Sequence, residues 1–199
     1  MNLGLISFAG TATVLVAPTT ERGPVTHAID NLKLAQSTAT GEGMFAALQS
    51  IESFSSVVGG AEGPPPARIV LMTDGKQTVP QDEYAPRGAF TAAVEAKDKG
   101  IPVSTISFGT SHGSVEIEGK EVPVPVDDPS MREIARLSGG DFYKAATAEE
   151  LREVYASLGE QIGYETQDTD ASRPWVVLGT LTLFGAAASS LVIGRRLPD

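Results

Sequence analysis

The stretch Arg68-Ile69-Val70-Leu71-Met72-Thr73-Asp74-Gly75 decides the fold, because an unbroken apolar run ends there on a carboxylate and a turn. It follows Gly63-Pro64-Pro65-Pro66, a segment that cannot be helical. The run is too uniformly apolar for a strand with one face in water, so we predict a central strand covered on both faces. Ligands bind at the carboxyl ends of such strands, which makes Asp74 the first candidate site residue. The alternative is that Asp-Gly simply forms the turn that ends the strand.

The composition is that of one domain with a sizeable core and a short accessory segment. The chain has 199 residues, of which 41% are hydrophobic and 20% are charged. The absence of cysteine excludes disulfides, zinc–thiolate sites and thiol catalysis, and His27 and His112 lack ligand spacing. One of the 25 acids and three of the 15 bases lie beyond residue 170, which leaves 24 acids, 12 bases and a net charge of −12 before that point. Such an acidic body repels nucleic acid, so no nucleic-acid partner is expected.

Apolar spacing predicts an alternation of strands and helices along the chain. Strand, crossover helix and strand in succession give parallel neighbours, so the predicted fold class is α/β with a doubly wound, mostly parallel sheet. Ile29 and Leu32 lie at helical spacing, Val94 is expected to face inward with Phe90 and Ala93, and Asp128 is expected to cap a helix. The predicted strands are 2–9, 12–17 (ended by Pro18), 68–73, 103–108 and 142–143; the helices are 26–34, one from 41, 88–99, one from 128 and one from 147; a surface hairpin spans 115–122.

The C-terminal segment has the pattern of a membrane span. Trp175 to Ile193 contains no charged residue, and these 19 residues approach the roughly 20 that a helix needs to cross a bilayer. Arg173 lies before this stretch and Arg195-Arg196 follow it, as in membrane flanks. We therefore predict a transmembrane helix with its flanks over 173–196, after a linker at 165–172 and before a tail at 197–199. A buried core helix is the alternative.

Small residues repeat at four-residue spacing within this predicted helix. Gly185 pairs with Ser189 in this way, and Ala186 pairs with Ser190. Such spacing permits close packing against another membrane helix, although small residues are common in membrane helices.

A second loop offers oxygen ligands that complement Asp74. It is Ser37-Thr38-Ala39-Thr40-Gly41, which leads directly into a predicted helix. A carboxylate together with hydroxyl groups suits Mg²⁺, which prefers oxygen donors and keeps several of its waters. Alternatively, the Ser/Thr cluster serves only as a helix cap.

Five segments together resemble a von Willebrand factor type A domain in order and spacing. The resemblance covers essentially the whole chain and is greatest to bacterial membrane-anchored members, namely the aerotolerance-type proteins and their mycobacterial relatives. The segments are Leu3-Gly4-Leu5-Ile6-Ser7-Phe8, Thr38-Ala39-Thr40-Gly41, Ile69-Val70-Leu71-Met72-Thr73-Asp74-Gly75, Val103-Ser104-Thr105-Ile106-Ser107-Phe108-Gly109 and Leu137-Ser138-Gly139-Gly140-Asp141-Phe142-Tyr143.

The resemblance implies a metal-ion-dependent adhesion site in which Thr38 and Asp74 are two of the metal ligands. The family's Asp-x-Ser-x-Ser motif is absent from this sequence. In the family that motif follows a first, central strand, which would precede Leu3 here. We therefore expect residues 1–164 to be such a domain without its N-terminal strand, in a chain that is N-terminally shortened. The alternative is that a partner chain donates the strand.

These features predict a membrane-anchored, non-enzymatic domain that binds an acidic side chain of a protein partner through Mg²⁺. With Arg195-Arg196 in the cytoplasm, the acidic domain lies outside it. A metal-independent scaffold subunit of a membrane complex is the alternative. An enzyme that uses Asp74 as a phosphoryl acceptor is disfavoured, because Lys76 stands where haloacid-dehalogenase-like phosphatases have a second Asp, and no P-loop occurs.

Overall fold

The computed structural model describes residues 1–33, 35, 37–59, 65–74, 76–108, 114–117, 120–123 and 127–163. Strands and helices in this part of the chain are numbered in sequence order. The strands are β1 (Leu3–Phe8), β2 (Ala12–Thr19), β3 (Ile69–Thr73), β4 (Val103–Phe108), β5 (Ser114–Ile117), β6 (Lys120–Pro123) and β7 (Phe142–Ala145). The helices are α1 (Gly23–Asp30), α2 (Thr40–Val58), α3 (Ala89–Asp98), α4 (Asp128–Ser138) and α5 (Ala148–Gly163).

A parallel three-stranded sheet in the order β3-β4-β7 forms the centre of the domain. Helix α3 connects β3 to β4, and α4 precedes β7, so these crossovers carry the chain back to start each parallel strand. The predicted parallel pair is therefore confirmed. β1 and β2 form a separate antiparallel hairpin, as do β5 and β6, and both hairpins agree with the sequence pattern.

The β1-β2 hairpin and the three-stranded sheet pack against the same core, but among the described residues no strand of one is hydrogen-bonded to a strand of the other. No ladder connects β1 to β3 among the described residues. Phe8 of β1 nevertheless packs against the cluster that contains Leu71 of β3, and α2 contacts both sheets. In β3 the Ile69 amide donates to the Pro102 carbonyl, beside β4. Because amides alternate in direction along a strand, those of Val70 and Met72 face the edge that β4 does not occupy.

The core lies mainly on one face of the parallel sheet. Helices α2, α3 and α4 cover this face with a continuous cluster whose fully buried members include Met44, Leu48, Ala93, Val103 and Ile134. A smaller cluster, built around Ile106, Ala145 and Leu158, lies under α5. The sheet is therefore covered unevenly.

This uneven cover corrects the prediction that β3 is buried on both faces. Ile69 and Leu71 are buried, whereas Val70 is 36% exposed and Met72 is 43% exposed. Helix α5 packs on β4 and β7, and the hydroxyl of its Tyr155 lies 4.0 Å from the Met72 sulfur of β3. An apolar strand thus has one open face in the described part of the chain.

Two N-terminal elements differ from their predictions. β2 continues through Pro18 to Thr19, because among the described strands its one partner is β1, and an edge strand tolerates a residue without an amide hydrogen. Helix α1 begins at Gly23, three residues early, since Pro24 suits the first turn of a helix. Its buried residue is Val25, whereas Ile29 and Leu32 are about half exposed.

Two later details also differ. Val94, predicted to face inward, is 44% exposed, while Phe90 and Ala93 of the same helix are buried as expected. The cap of α4 is Asp127 rather than Asp128, since the Asp127 side chain accepts a hydrogen bond from the Ser130 amide. Asp128 instead lies in the first helical turn and pairs with other side chains.

The predicted transmembrane helix at 173–196, with Gly185, Ala186, Ser189 and Ser190, lies outside the described residues, as do the linker and the tail. Within the part of the chain that is described, helices long and apolar enough to cross a membrane do not occur.

Candidate functional site

The Thr38 loop and the loop after β3 are hydrogen-bonded to each other. The Thr78 amide donates to the Thr38 carbonyl at 2.8 Å, and the Val79 amide donates to the same oxygen at 3.2 Å. In return the Thr38 amide donates to the Thr78 hydroxyl at 2.7 Å. Since Asp74 directly follows β3, the two loops predicted from the sequence lie at the same carboxyl-end edge of the fold.

The buried side chain of Gln77 hydrogen-bonds the loop after β3 to the start of α2. It is 5% exposed, and its side-chain oxygen accepts a hydrogen bond from the Gly41 amide at 3.0 Å. Its side-chain nitrogen donates to the Pro80 carbonyl at 2.8 Å. Sequence reasoning missed this role, because a polar residue three positions before a proline carries no pattern that distinguishes it from a solvated loop residue.

The start of α2 also fits closely against the segment before α3. A Cβ atom at Gly41 would lie 2.1 Å from the Arg87 carbonyl oxygen and 2.6 Å from the Gly88 carbonyl carbon. Arg87 additionally forms an ion pair with Glu42, and this hydrogen bond lowers the pKa of the Glu42 carboxyl. The loop that carries Thr38 is therefore held on both sides.

The two candidate metal ligands keep their side-chain oxygens free within this framework. Thr38 is half-buried and Asp74 is exposed. Among the described residues, the Thr38 hydroxyl and the Asp74 carboxylate have no hydrogen-bond partner. A hydroxyl and a carboxylate are donors of the kind that Mg²⁺ takes, but two ligands do not complete a site. Groups of three or more His, Cys, Asp or Glu side chains arranged for a metal are absent from this described part.

A third polar group lies at the carboxyl ends of β4 and β7. The buried Ser107 hydroxyl donates to Asp128 at 2.5 Å, and the Lys144 ammonium donates to the other oxygen of the same carboxylate at 2.7 Å. These hydrogen bonds, chiefly that from Lys144, lower the pKa of Asp128. The trio joins two strands to the first turn of α4.

A family model described as "von Willebrand factor type A domain" matches residues 1–157. Curated relatives match over the full length of the chain, among them UPF0353 proteins of Nocardia farcinica (60% identical over 207 residues) and of Mycobacterium tuberculosis strain H37Ra (58% over 198 residues). The chain spans 62% and 59% of the lengths of these two relatives.

Solved structures resemble the fold at lower identity. BatB from Bacteroides thetaiotaomicron superposes with a TM-score of 0.64 at 21% identity, covering 80% of this chain and 78% of that one. An aerotolerance-related membrane protein from Bacteroides fragilis gives 0.60 at 22% identity, covering 78% and 77%. Proximal thread matrix protein 1 from the mussel byssus, described with a zinc-occupied MIDAS motif, gives 0.52 at 17% identity, covering 79% and 34%.

Proposed function

Because this chain belongs to the von Willebrand factor type A family, we propose that it is a membrane-anchored, non-enzymatic protein-binding domain. Domains of this family mediate protein–protein interactions, and some bind a metal at their adhesion site. The proposed ligand is an acidic side chain of a partner, bound through Mg²⁺ that Thr38 and Asp74 help to hold. When bound, the ion would supply the positive charge that attracts the partner's carboxylate.

One observation carries this proposal: the backbone of Thr38 is fixed by Thr78 and Val79, while its hydroxyl and the Asp74 carboxylate stay unpaired among the described residues. Rigid backbone with free oxygen donors is what a preorganised ligand site requires. The zinc-containing mussel structure shares the fold, and so supports a metal at such a site only by analogy.

Two ligands do not complete a metal site in the described residues, and we propose that further ligands come with an additional strand. β1 and β3 each have one edge without a partner in the described chain, and the curated relatives are longer than the chain. A strand from outside residues 1–199 would pair with both edges, and the loop at its carboxyl end would meet the site edge. A strand donated by a partner chain is the alternative.

Membrane anchoring rests on the uncharged segment from Trp175 to Ile193 and its arginine flanks. The similar Bacteroides fragilis structure is described as that of a membrane protein. In the proposed topology, a single span at 173–196 leaves the domain outside the cytoplasm and the C-terminus inside it.

Titration calorimetry tests the metal site. In the protein extended to the length of its relatives, we expect Asp74→Ala to weaken Mg²⁺ binding at least tenfold, because a charged ligand is lost. The matched control is Asp30→Ala, which removes an exposed carboxylate at the end of α1. Unchanged affinity in Asp74→Ala would refute the site.

A metal-independent scaffold subunit of a membrane complex is the second candidate. It is favoured because the described residues contain no group of three or more His, Cys, Asp or Glu side chains arranged to hold a metal. Partner capture with and without a chelator separates the two candidates, since capture by a scaffold would be insensitive to the chelator. A phosphoryl-transfer role for Asp74 would instead require phosphatase activity that Asp74→Asn abolishes.

A further inference from the structure

The loop that carries Thr38 holds a strained backbone conformation. Ser37 has a φ of 72°, and it is the one residue other than glycine with a positive φ in the described part of the chain. A side chain with a Cβ atom disfavours this left-handed region, which glycine adopts freely. A strained residue persists only where the surrounding structure fixes the backbone around it. The residues that follow Ser37 must therefore be held by contacts from elsewhere in the fold.

Hydrogen bonds from two neighbouring segments fix the backbone of the Thr38 loop. The Ala39 amide donates to the Ala9 carbonyl at 2.5 Å, just beyond the end of β1. The backbone of Thr38 is bonded to Thr78 and Val79. These two residues belong to a loop after β3 that is neither helix nor strand, so this loop needs an anchor of its own.

Gln77 provides that anchor, and its side chain also caps helix α2. The N-cap residue of α2 is Ala39, whose side chain cannot accept from the free amides of the first turn. The Gly41 amide donates instead to Gln77 Oε1 at 3.0 Å, while Gln77 Nε2 donates to the Pro80 carbonyl at 2.8 Å. Both Gln77 and Gly41 are buried, so without this side chain the Gly41 amide would be left unpaired away from water.

We propose that Gln77 is a positioning residue for the metal site, an inference that rests on the proposed function. The two loops are hydrogen-bonded at two places, through the Gln77 side chain and through the Thr38 backbone, and this fixes the Thr38 hydroxyl relative to Asp74. Gln77 is not itself a ligand, because both ends of its side-chain amide are already bonded. Ligands that are fixed in advance bind an ion more tightly, because less conformational freedom is lost on binding.

Titration calorimetry with Mg²⁺ tests the inference in the protein extended to the length of its relatives. We expect Gln77→Met to weaken Mg²⁺ binding at least tenfold. The methionine thioether keeps the length of the side chain, but it cannot donate to Pro80 and accepts only weakly from Gly41. Gln81→Met is the matched control, since Gln81 is an exposed residue of the same loop, and this variant should bind Mg²⁺ as tightly as the parent.

Two further changes separate positioning from a general loss of stability. Adding Ser37→Gly to Gln77→Met should recover part of the lost affinity, because glycine adopts the left-handed conformation without strain. Adding Gly159→Ala should raise the stability but leave the affinity as weak as before, since Gly159 lies in α5, away from the loop. Without Mg²⁺, the Gly41 amide should exchange its hydrogen at least tenfold faster in Gln77→Met than in the parent.

The possible failures of this experiment are distinguishable. A parent protein that does not bind Mg²⁺ would overturn the proposed metal site and this inference with it. If the parent binds Mg²⁺ and Gln77→Met binds it equally well, or if exchange of the Gly41 amide is unchanged, the inference alone is overturned. It is also overturned if Gly159→Ala recovers the affinity as well as Ser37→Gly does, because the loss would then come from stability.

Discussion

At the scale of single residues, packing at the edge that carries Thr38 and Asp74 requires a residue as small as glycine at position 41. Gly41 lets the start of α2 lie directly on the carbonyl of Arg87, where a Cβ atom would be 2.1 Å from backbone oxygen. Its amide also donates to Gln77. Backbone atoms cannot move away from an added Cβ atom as the end of a flexible side chain can. We therefore expect any substitution of Gly41 to lower the stability of the chain.

Gly41→Ala should therefore destabilise the chain by about 1–3 kcal/mol, the usual cost of overpacking a fitted site. The matched control is Gly159→Ala in α5, where nothing lies within 4 Å of the added Cβ. That change should stabilise the chain by up to about 1 kcal/mol through helix propensity. Chemical denaturation measures both, and equal effects of the two substitutions would contradict the close contact.

Asp128 is a residue whose charge state should set part of the pH dependence of stability. Hydrogen bonds from Lys144 and Ser107 hold its pKa below the ordinary value of 3.8. A carboxyl whose pKa is lower when folded stabilises the fold above its unfolded pKa, and this stabilisation is lost as the pH falls through the folded value.

In Asp128→Asn, the free energy of unfolding should fall less steeply below about pH 4 than in the parent chain. Lys144→Met should flatten the same acid limb, because it removes the main cause of the lowered pKa. Urea denaturation between pH 2 and 6 checks this. Acid limbs of equal slope in all three chains would refute the assignment.

At the scale of elements, β3 shows what the sequence could and could not predict. Its position, direction and parallel pairing with β4 follow from an apolar run between turn residues. Its exposed face could not be predicted, because Val70 and Met72 are as apolar as their buried neighbours. Which face is covered depends on where α5 docks, and local spacing does not encode that contact.

The candidate site was also predictable from the sequence only in part. The placement of Thr38 and Asp74 in loops at one edge was predictable, because each residue adjoins the end of a predicted strand or the start of a predicted helix. That they bind a metal stays a prediction. The role of Gln77 was not predictable, since it comes from burial between the loop after β3 and the start of α2. Polar residues in loops show no periodicity from which burial could be inferred.

The open edge of β3 makes an element-scale prediction about amide hydrogen exchange. In residues 1–199 alone, the amides of Val70 and Met72 should exchange faster than that of Leu71, which faces β4. In the protein extended to the length of its relatives, all three should exchange slowly, because the proposed strand pairs with the open edge. Equal protection of the three amides in the shorter chain would contradict the open edge.

At the scale of the whole molecule, the acidic domain and the uncharged C-terminal segment have opposite preferences for solvent. The first 170 residues carry a net charge of −12, whereas residues 175–193 carry none. An acidic surface is repelled by anionic lipid, so attachment to a membrane would depend on the segment alone.

We therefore expect the 199-residue chain to sediment with membranes and to resist extraction by high salt. A chain that ends at residue 164 should remain in the soluble fraction. Membrane flotation followed by immunoblotting distinguishes these outcomes. A full chain that floats no better than the truncated one would refute the proposed anchor.

We propose above that one ion is held at the edge where the Thr38 loop meets the end of β3. Paramagnetic broadening by Mn²⁺, used in place of Mg²⁺, measures this most directly in NMR spectra of the protein extended to the length of its relatives. We expect the amide signals of Thr38 and Asp74 to broaden first, and we expect Asp74→Ala to remove the effect. Broadening centred elsewhere, or unchanged in Asp74→Ala, would contradict it.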